Sequence, residues 1–206
     1  MENKSKFDFK AVEKATRDLL IAVGENPDRE GLKDTPHRVA GYWKELLEYN
    51  NISNREIAER FSKKFEVGYN PMVMEYIDDI YSHCEHHLAL MFDGNVTVGY
   101  LPVKDKDGTY KVLGLSKINR IVDACSKRLQ LQEKLAADIA ECISLCTGSD
   151  SVYVNINMKH GCVSARGAKS RGFTNVTYMT PSLRANTEVR KEFQNKAMEL
   201  QLRKSN

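Results

Sequence analysis

Two short clusters of histidine and cysteine constrain this chain more than any other feature of its sequence. The first is Ser82-His83-Cys84-Glu85-His86-His87, and the second is Lys159-His160-Gly161-Cys162-Val163. Four of the five histidines and two of the five cysteines lie in these runs. Because thiolate and imidazole are ligands that Zn²⁺ prefers, the two clusters indicate one metal site. The fold then has to bring together two segments about 75 residues apart in sequence.

The clusters contain enough ligands for a catalytic zinc site, in which three side chains bind the metal and a fourth position stays open to water. Cys84, Cys162 and one of the paired histidines, His86 or His87, supply those three ligands. The histidines that remain are then available for proton transfer beside the metal. Two alternatives stay open on spacing alone: a structural zinc site with four ligands, and a set of packed histidines without a metal.

The second cluster follows a predicted strand. Residues 152–158 alternate between apolar and polar side chains, which predicts a half-buried strand. If the alternation continues, His160 and Cys162 project from one face, and Gly161 leaves space between them. The first cluster cannot present all of its ligands from one face of a regular element, so we expect a bend there.

The composition is that of a globular protein and excludes several classes of function. The chain has 206 residues, 41% hydrophobic and 29% charged, which suits one domain of ordinary size with an extension. Its net charge of +3 is too small to predict a nucleic-acid partner. No apolar run approaches the ~18 residues of a membrane span, and the N-terminus lacks the core of a signal peptide. An odd number of cysteines speaks against a disulfide framework, so we expect a reduced, cytoplasmic protein. From the charge and the lack of a long apolar run, we expect that it binds neither nucleic acid nor membrane.

Apolar periodicity predicts an α+β domain preceded by helices. The predicted extension covers 1–68 and the α+β domain 69–206. Three helices are expected in the extension, over 7–24, from Thr35 as N-cap to Leu47, and over 53–65 with Ser53 as N-cap. The elements expected in the domain are strands over 72–81 and 95–101, helices over 116–130 and 132–146, strands over 152–158 and 173–179, and a last helix over 186–202.

Two helix starts contain groups suited to a nucleotide. The segment Gly114–Arg120 is predicted to place the Ser116 hydroxyl at an N-cap, with Lys117 and Arg120 close behind it. Free backbone N–H groups, the helix dipole and two cations together suit a phosphate, although an ordinary capped surface helix is the alternative. Gln132 and Glu133 begin the next helix and can read the N–H edge of a purine, but acidic residues are common at helix starts.

Four motifs in this order closely resemble GTP cyclohydrolase I: Cys84–His87, Gly114–Val122, Gln130–Glu133 and His160–Gly167. The similarity runs from about residue 8 to residue 197 and includes Gly31–Arg38. The resemblance implies the tunnelling fold, in which each subunit contributes an antiparallel four-stranded sheet with two helices on one side. It also implies sheets joined into a barrel across subunits, and a homo-oligomer, commonly a decamer, with active sites at subunit interfaces.

The resemblance implies the conversion of GTP to 7,8-dihydroneopterin triphosphate with release of formate, and it assigns roles to residues of this chain. The zinc ligands are Cys84, His87 and Cys162, and a water activated by the metal attacks carbon 8 of guanine. The proton-transfer residues are His86 and His160. The implied substrate contacts are Glu133 and Gln132 at the guanine edge, Ser116, Lys117, Arg120 and Arg166 at the ribose and triphosphate, and Arg38 at the phosphates, in some members from a neighbouring subunit.

The chain departs from the family pattern in four places, one of which is a slightly expanded segment from Leu88 to Asp93. Gly41 stands where many members have a second lysine after the Arg38 position, the loop from Val103 to Val112 is longer than usual, and His83 has no assigned role. A non-catalytic GTP-binding regulatory protein and a related pterin or deazapurine enzyme are the alternative functions. The sequence leaves open whether the product enters a folate, biopterin or 7-deazaguanine pathway.

Overall fold

The structure is a computed structural model that describes residues 6–204. Contacts divide the chain into two compact units, one ending at Asn51 and the other beginning at Ile52. The domain boundary that the sequence suggests, between residues 68 and 69, stays a prediction. Among the described residues, no helix combines the length and the apolar composition needed to cross a bilayer.

The first unit is a pair of packed helices, α1 (Phe9–Ala22) and α2 (Thr35–Leu46). The end predicted for α1 is confirmed within two residues, since Gly24 follows it with φ of 87°. The predicted N-cap of α2 is wrong by one residue, because Asp34 is the N-cap and Thr35 is already helical. A turn closed by the Thr35 N–H and the Leu32 carbonyl leads directly into the helix and moves its start forward.

The second unit contains the predicted β-β-α-α-β-β order and a last helix, with short elements added between them. Its elements are α3 (Asn54–Arg60), β1 (Lys64–Val67), β2 (Val73–Cys84), β3 (Leu90–Tyr100), β4 (Tyr110–Leu113), α4 (Leu115–Ser126), β5 (Leu129–Gln130), α5 (Gln132–Thr147), β6 (Val152–His160), α6 (Gly161–Ser164), β7 (Thr174–Met179), α7 (Pro181–Ala185) and α8 (Thr187–Lys204).

The third predicted helix is partly confirmed. Ser53 is the N-cap of α3, and it forms a capping box with Glu56. The helix ends at Arg60, however, and not at Phe65, because Lys64–Val67 forms the strand β1 and pairs with β4. Pairing with a distant strand therefore overrides the local helical pattern at this point.

The main sheet has the strand order β5-β2-β3-β6-β7. The four long strands are antiparallel neighbours, which confirms the predicted four-stranded sheet, and β5 adds two residues in parallel pairing beside β2. Helices α4 and α5 pack on β2, β6 and β7. On the opposite face α8 packs through Phe193, whose ring stacks on Tyr153 of β6.

Two bulges bend β2 and β3 toward the end of the sheet that carries the histidine clusters. The β2–β3 register shifts on either side of the pair Ile80 and Gly94, and the neighbouring residues Asp79 and Asp93 have positive φ of 54° and 49°. A Cβ atom on Gly94 would lie 2.5 Å from the Ile80 carbonyl oxygen, so only glycine fits. Because bulges increase strand bending, they curl this end of the sheet.

The long loop between β3 and β4 is an ordered turn. An isolated antiparallel bridge joins Lys104 to Tyr110, and Gly108 between them has φ of 78°. The Asp105 carboxylate accepts hydrogen bonds from two backbone N–H groups in this turn and forms an ion pair with Lys111. Asp107-Gly108, a pair typical of hairpin turns, lies in this turn, but β4 pairs with β1 and not with β3.

Candidate metal centre and nucleotide site

Three side chains from the two clusters converge at one end of the sheet. The Cys84 and Cys162 sulfurs and a ring nitrogen of His87 all lie within 4.8 Å of one another. Zn–S distances of about 2.3 Å and Zn–N distances of about 2.0 Å place tetrahedral ligand atoms roughly 3.5–4 Å apart. Two thiols and one imidazole at this spacing fit Zn²⁺. Of the paired histidines, His87 is therefore the one that joins the thiols.

The sheet brings these ligands together because β2 and β6 flank the same strand, β3. At the start of β3, Leu90 pairs with His83 of β2, and Met91 pairs with His160 of β6. Cys84 ends β2 and Cys162 lies in the short helix that follows β6. Two segments about 75 residues apart in sequence thus lie on either side of a single strand, β3.

The predicted bend after Cys84 is a tight turn. The Cys84 N–H donates to the Ala89 carbonyl at 2.9 Å, and Leu88 has a positive φ of 52° within the turn. On the other side of the site, a Cβ atom on Gly161 would lie 3.0 Å from the Leu90 carbonyl oxygen. Glycine at position 161 therefore lets the second cluster approach the backbone of β3 closely.

The short strand β5 holds the end of β2 in place. Gln130 pairs with Cys84, and its carbonyl accepts a hydrogen bond from the Glu85 N–H at 3.0 Å. The Gln130 side chain is fully buried and donates to the Asp138 carboxylate at 2.9 Å. Sequence reasoning missed this support. The available signal was Asp138, a carboxylate on an otherwise apolar face of α5.

The position of Cys162 in the cluster shifts the pKa of its thiol. Burial and the neighbouring Cys84 thiol raise the pKa of Cys162, and the Arg166 guanidinium partly opposes them. A cation bound between the two sulfurs reverses this direction, since it stabilises both thiolates. Arg166 is thus one of the charged groups that act electrostatically on this thiol.

The two histidines that the resemblance assigns to proton transfer differ in environment. His86 is exposed, and its ring centroid lies 6.3 Å from that of His87. His160 is half-buried, and its Nε2 lies 2.8 Å from Oε1 of Gln132. Burial lowers the pKa of His160, and the nearby Glu133 carboxylate only partly offsets this. A largely neutral imidazole can accept a proton near pH 7.

Gln132 and Glu133, both predicted to contact guanine, lie in different surroundings. Gln132 is 2% exposed, and its amide group donates to the Ile156 and Thr174 carbonyls. Glu133 is exposed in the first turn of α5. The carboxylate is therefore accessible to a ligand beside the metal cluster, whereas the amide is engaged within the protein.

The predicted phosphate segment begins differently from the sequence expectation. The N-cap of α4 is Gly114, Leu115 is the first helical residue, and no side chain caps the helix. Ser116 is thus the second helical residue and not the N-cap. The Gly114 N–H donates to the Lys63 carbonyl beside β1, and the N-cap lies two residues earlier than predicted. The hydroxyl, Lys117 and the exposed Arg120 remain on the first turns of α4.

Within one chain, this segment lies far from the metal cluster. Ser116 and Ser126 are separated by ten helical residues, which is about 15 Å along the axis. Ser126 is at the near end, because its carbonyl accepts a hydrogen bond from Ser82, two residues before Cys84. At the far end, Asn119 donates to Glu75 near the start of β2. The structure therefore groups Glu133, His160 and Arg166 with the metal ligands, but not the first turn of α4.

His83 is not among the metal ligands, and Arg38 belongs to the other unit of the chain. His83 is buried in the ladder between Leu90 and Leu129, and burial lowers its pKa. Arg38 lies on α2 in the first unit, where it forms an exposed ion pair with Asp34 at 3.6 Å.

Comparison with known proteins finds matches over most of the chain. The sequence model of GTP cyclohydrolase I matches residues 12–198. GTP cyclohydrolase 1 of Clostridium beijerinckii is 44% identical over 194 residues, which cover 91% of this chain and 95% of that protein. GTP cyclohydrolase 1 of Clostridium botulinum strain Loch Maree is 46% identical over 176 residues, which cover 82% and 87%.

Among solved structures, apo archaeosine synthase QueF-Like covers 53% of this chain and 92% of its own, with 20% identity and a TM-score of 0.41. The family model and the two relatives extend over nearly the whole chain and include both ligand clusters. The chain therefore belongs to the GTP cyclohydrolase I family.

Proposed function

We propose that this protein converts GTP to 7,8-dihydroneopterin triphosphate with release of formate, the first step of a pterin pathway, and that it needs zinc to do so. The observation that carries the proposal is the convergence of Cys84, His87 and Cys162, with His160 beside them. Family membership supplies the substrate and the product.

Each group at the site has a definite task in this reaction. Zn²⁺, when bound, is a Lewis acid that lowers the pKa of water and so provides a nucleophile at neutral pH. His160 and His86 transfer protons, one of them to nitrogen 7 as the imidazole ring of guanine opens. The Glu133 carboxylate accepts hydrogen bonds from the N–H edge of the base. Arg166, next to the cluster, pairs with the ribose or phosphate end of the substrate.

We also propose that a complete site needs more than one subunit of a homo-oligomer, with a decamer as the expected form. The first two turns of α4 contain Ser116, Lys117 and Arg120. These residues lie about 9–15 Å along the helix from the end near the metal cluster of their own chain. A neighbouring subunit can supply these cations to the triphosphate. Arg38 is a further phosphate contact in this proposal.

The edges of the main sheet support such an assembly. β7 pairs on one side only within the described residues, and β2 has an outer partner only at His83 and Cys84. Exposed strand edges favour pairing with another chain. We propose that the two edges meet between subunits and join the sheets into a barrel.

The activity is tested with purified protein, GTP and zinc. We expect equal amounts of formate and of a pterin that fluoresces after oxidation, and loss of both when a chelator is added. Cys162→Ser should lose zinc and turnover. Its matched control, Cys125→Ala, should keep zinc, because the Cys125 side chain on α4 packs against Cys142 on α5 and not against the metal ligands. Full turnover by Cys162→Ser would contradict the proposed metal site.

The shared site is tested by mixing two inactive variants. Lys117→Ala/Arg120→Ala lacks the proposed phosphate contacts, and His160→Ala lacks a proton-transfer group. If subunits share sites, random 1:1 co-assembly should restore about a quarter of wild-type activity, because one site in four combines both intact parts. If each chain forms its own site, co-assembly should restore none.

A further inference from the structure

We infer that Gln132 is a positioning residue for His160, and that it fixes which nitrogen of the imidazole carries the proton. This inference rests on the proposed function, because it concerns a histidine assigned to proton transfer. It replaces the guanine contact that the family resemblance implies for Gln132 by a role within the protein.

The orientation of the Gln132 amide is determined by its surroundings. Its Nε2 donates to the Ile156 carbonyl of β6 at 3.0 Å and to the Thr174 carbonyl of β7 at 2.9 Å. An amide nitrogen has two N–H groups, and these two carbonyls use both. A flipped amide would place its oxygen against both carbonyl oxygens, so the assignment of oxygen and nitrogen follows from the contacts.

The Gln132 amide oxygen then determines which nitrogen of the His160 ring is protonated. Oε1 of Gln132 lies 2.8 Å from Nε2 of His160, and a carbonyl oxygen can only accept a hydrogen bond. Nε2 must therefore be the protonated nitrogen of the neutral ring. The lone pair that can take up a proton is then on Nδ1. Holding the ring by one nitrogen also fixes the direction in which the other points.

The burial of Gln132 favours this role over direct contact with the substrate. The residue is 2% exposed, and both of its N–H groups are engaged with backbone carbonyls. Its neighbour Glu133 is exposed at the start of α5. Reading of the guanine edge therefore falls to Glu133, while Gln132 supports the histidine.

Steady-state kinetics of Gln132→Leu, His160→Ala and the double variant test the inference. Gln132→Leu should lower kcat about 10- to 100-fold, as for other residues that orient a site ligand or base. The KM for GTP and the zinc content should stay within about twofold, since no substrate contact is lost. Added to His160→Ala, Gln132→Leu should cause no further loss, because the residue through which it acts is already gone. A raised KM, or losses that multiply in the double variant, would overturn the inference.

Gln132→Glu distinguishes a role in orienting His160 from a role that only joins the backbones of β6 and β7. It keeps an oxygen that can accept from Nε2 of His160 but loses the amide donors to the two carbonyls. We expect it to retain at least threefold more kcat than Gln132→Leu, while both variants have similarly lowered melting temperatures. Equal losses of kcat in the two variants would contradict the inference, because they would show that Gln132 supports turnover only through its hydrogen bonds to β6 and β7.

A readout independent of turnover distinguishes failure of this inference from failure of the proposed function. Solid-state NMR of ¹⁵N-histidine-labelled protein reports the protonated nitrogen of each ring, and His160 is assigned by its absence in His160→Ala. The wild type should show the Nε2–H form, and Gln132→Leu should lose that preference. An Nδ1–H form in the wild type would refute the inference whether or not GTP is consumed.

Discussion

Replacing Asp138 by alanine is expected to destabilise the protein strongly, because it removes a carboxylate that forms an ion pair with a buried arginine. The side chains of Arg128 and Asp138 are 8% and 12% exposed, and they lie 3.2 Å apart. The same carboxylate accepts hydrogen bonds from Gln130 at 2.9 Å, Lys134 at 2.6 Å and Asn54 at 3.1 Å. It thus joins α3, β5 and α5.

The magnitude follows from what the alanine leaves behind. The Arg128 guanidinium keeps hydrogen bonds to Asn54 and to the Ile52 carbonyl, but neither partner is charged. Breaking a buried ion pair on one side costs about 3–5 kcal/mol. For a chain of this length, that corresponds to a melting temperature lower by about 6–20 °C. We expect zinc affinity to fall as well, because Asp138 holds Gln130, whose backbone pairs with Cys84.

The matched control is Asp123→Ala. Asp123 also forms an ion pair with a lysine four residues away in a helix, but its side chain is 59% exposed. We expect its loss to cost less than about 1 kcal/mol. Thermal and urea unfolding followed by circular dichroism compare the two variants. Both are measured at one fixed protein concentration, because the proposed association of subunits would make the apparent stability depend on concentration. If Asp138→Ala costs no more than Asp123→Ala, the structural importance of the buried pair is refuted.

Gly94→Ala should destabilise the protein by about 1–3 kcal/mol in urea unfolding, because the added Cβ meets a backbone oxygen of β2 at 2.5 Å. Gly68→Ala, where nothing lies within 4 Å, is the control, and equal costs would contradict the close approach. Burial raises the pKa of Asp138, but its hydrogen bonds lower it more, so the net shift is downward. Its stabilising contribution is then present above about pH 4 and is lost as pH falls through the folded pKa. In acid titrations Asp138→Asn should lose less stability than the wild type below that pH, and parallel curves would contradict this. His87→Ala should lose zinc, as measured by atomic absorption. His86→Ala should keep zinc but lose turnover by about 10²-fold or more. Zinc loss in both variants would contradict the separate roles of the two histidines.

The sequence predicts those parts of the fold whose signals are local. The alternation over 152–158 gives the strand β6, and Ser53 with Glu56 gives the capping box of α3. The sequence does not predict elements that form only by pairing with a segment distant in the chain. Phe65 continues a helical pattern but lies in β1, since β4 is available for pairing. The two residues of β5 are too few for any periodicity and depend on the end of β2.

The candidate site divides in the same way. The metal ligands are predictable because cysteine and histidine are uncommon in this chain and concentrate in two runs. Spacing alone leaves His86 and His87 open as the third ligand. The family resemblance implies His87, and the turn after Cys84 brings His87 to the two thiols. The partners of Gln132 are likewise not readable from sequence, because Ile156 and Thr174 lie 24 and 42 residues away. The distance from the metal cluster to the first turn of α4 also required the folded chain.

GTP labelled with ¹³C at carbon 8 gives the most direct test of the central claim, that this site opens the imidazole ring of guanine with the help of bound zinc. The zinc-loaded protein should transfer the label to formate, one equivalent for each pterin formed. Protein stripped of zinc should leave the label in GTP until the metal is restored. Label that stays in the purine after incubation with the zinc-loaded protein, or formate released equally well without zinc, would contradict the account.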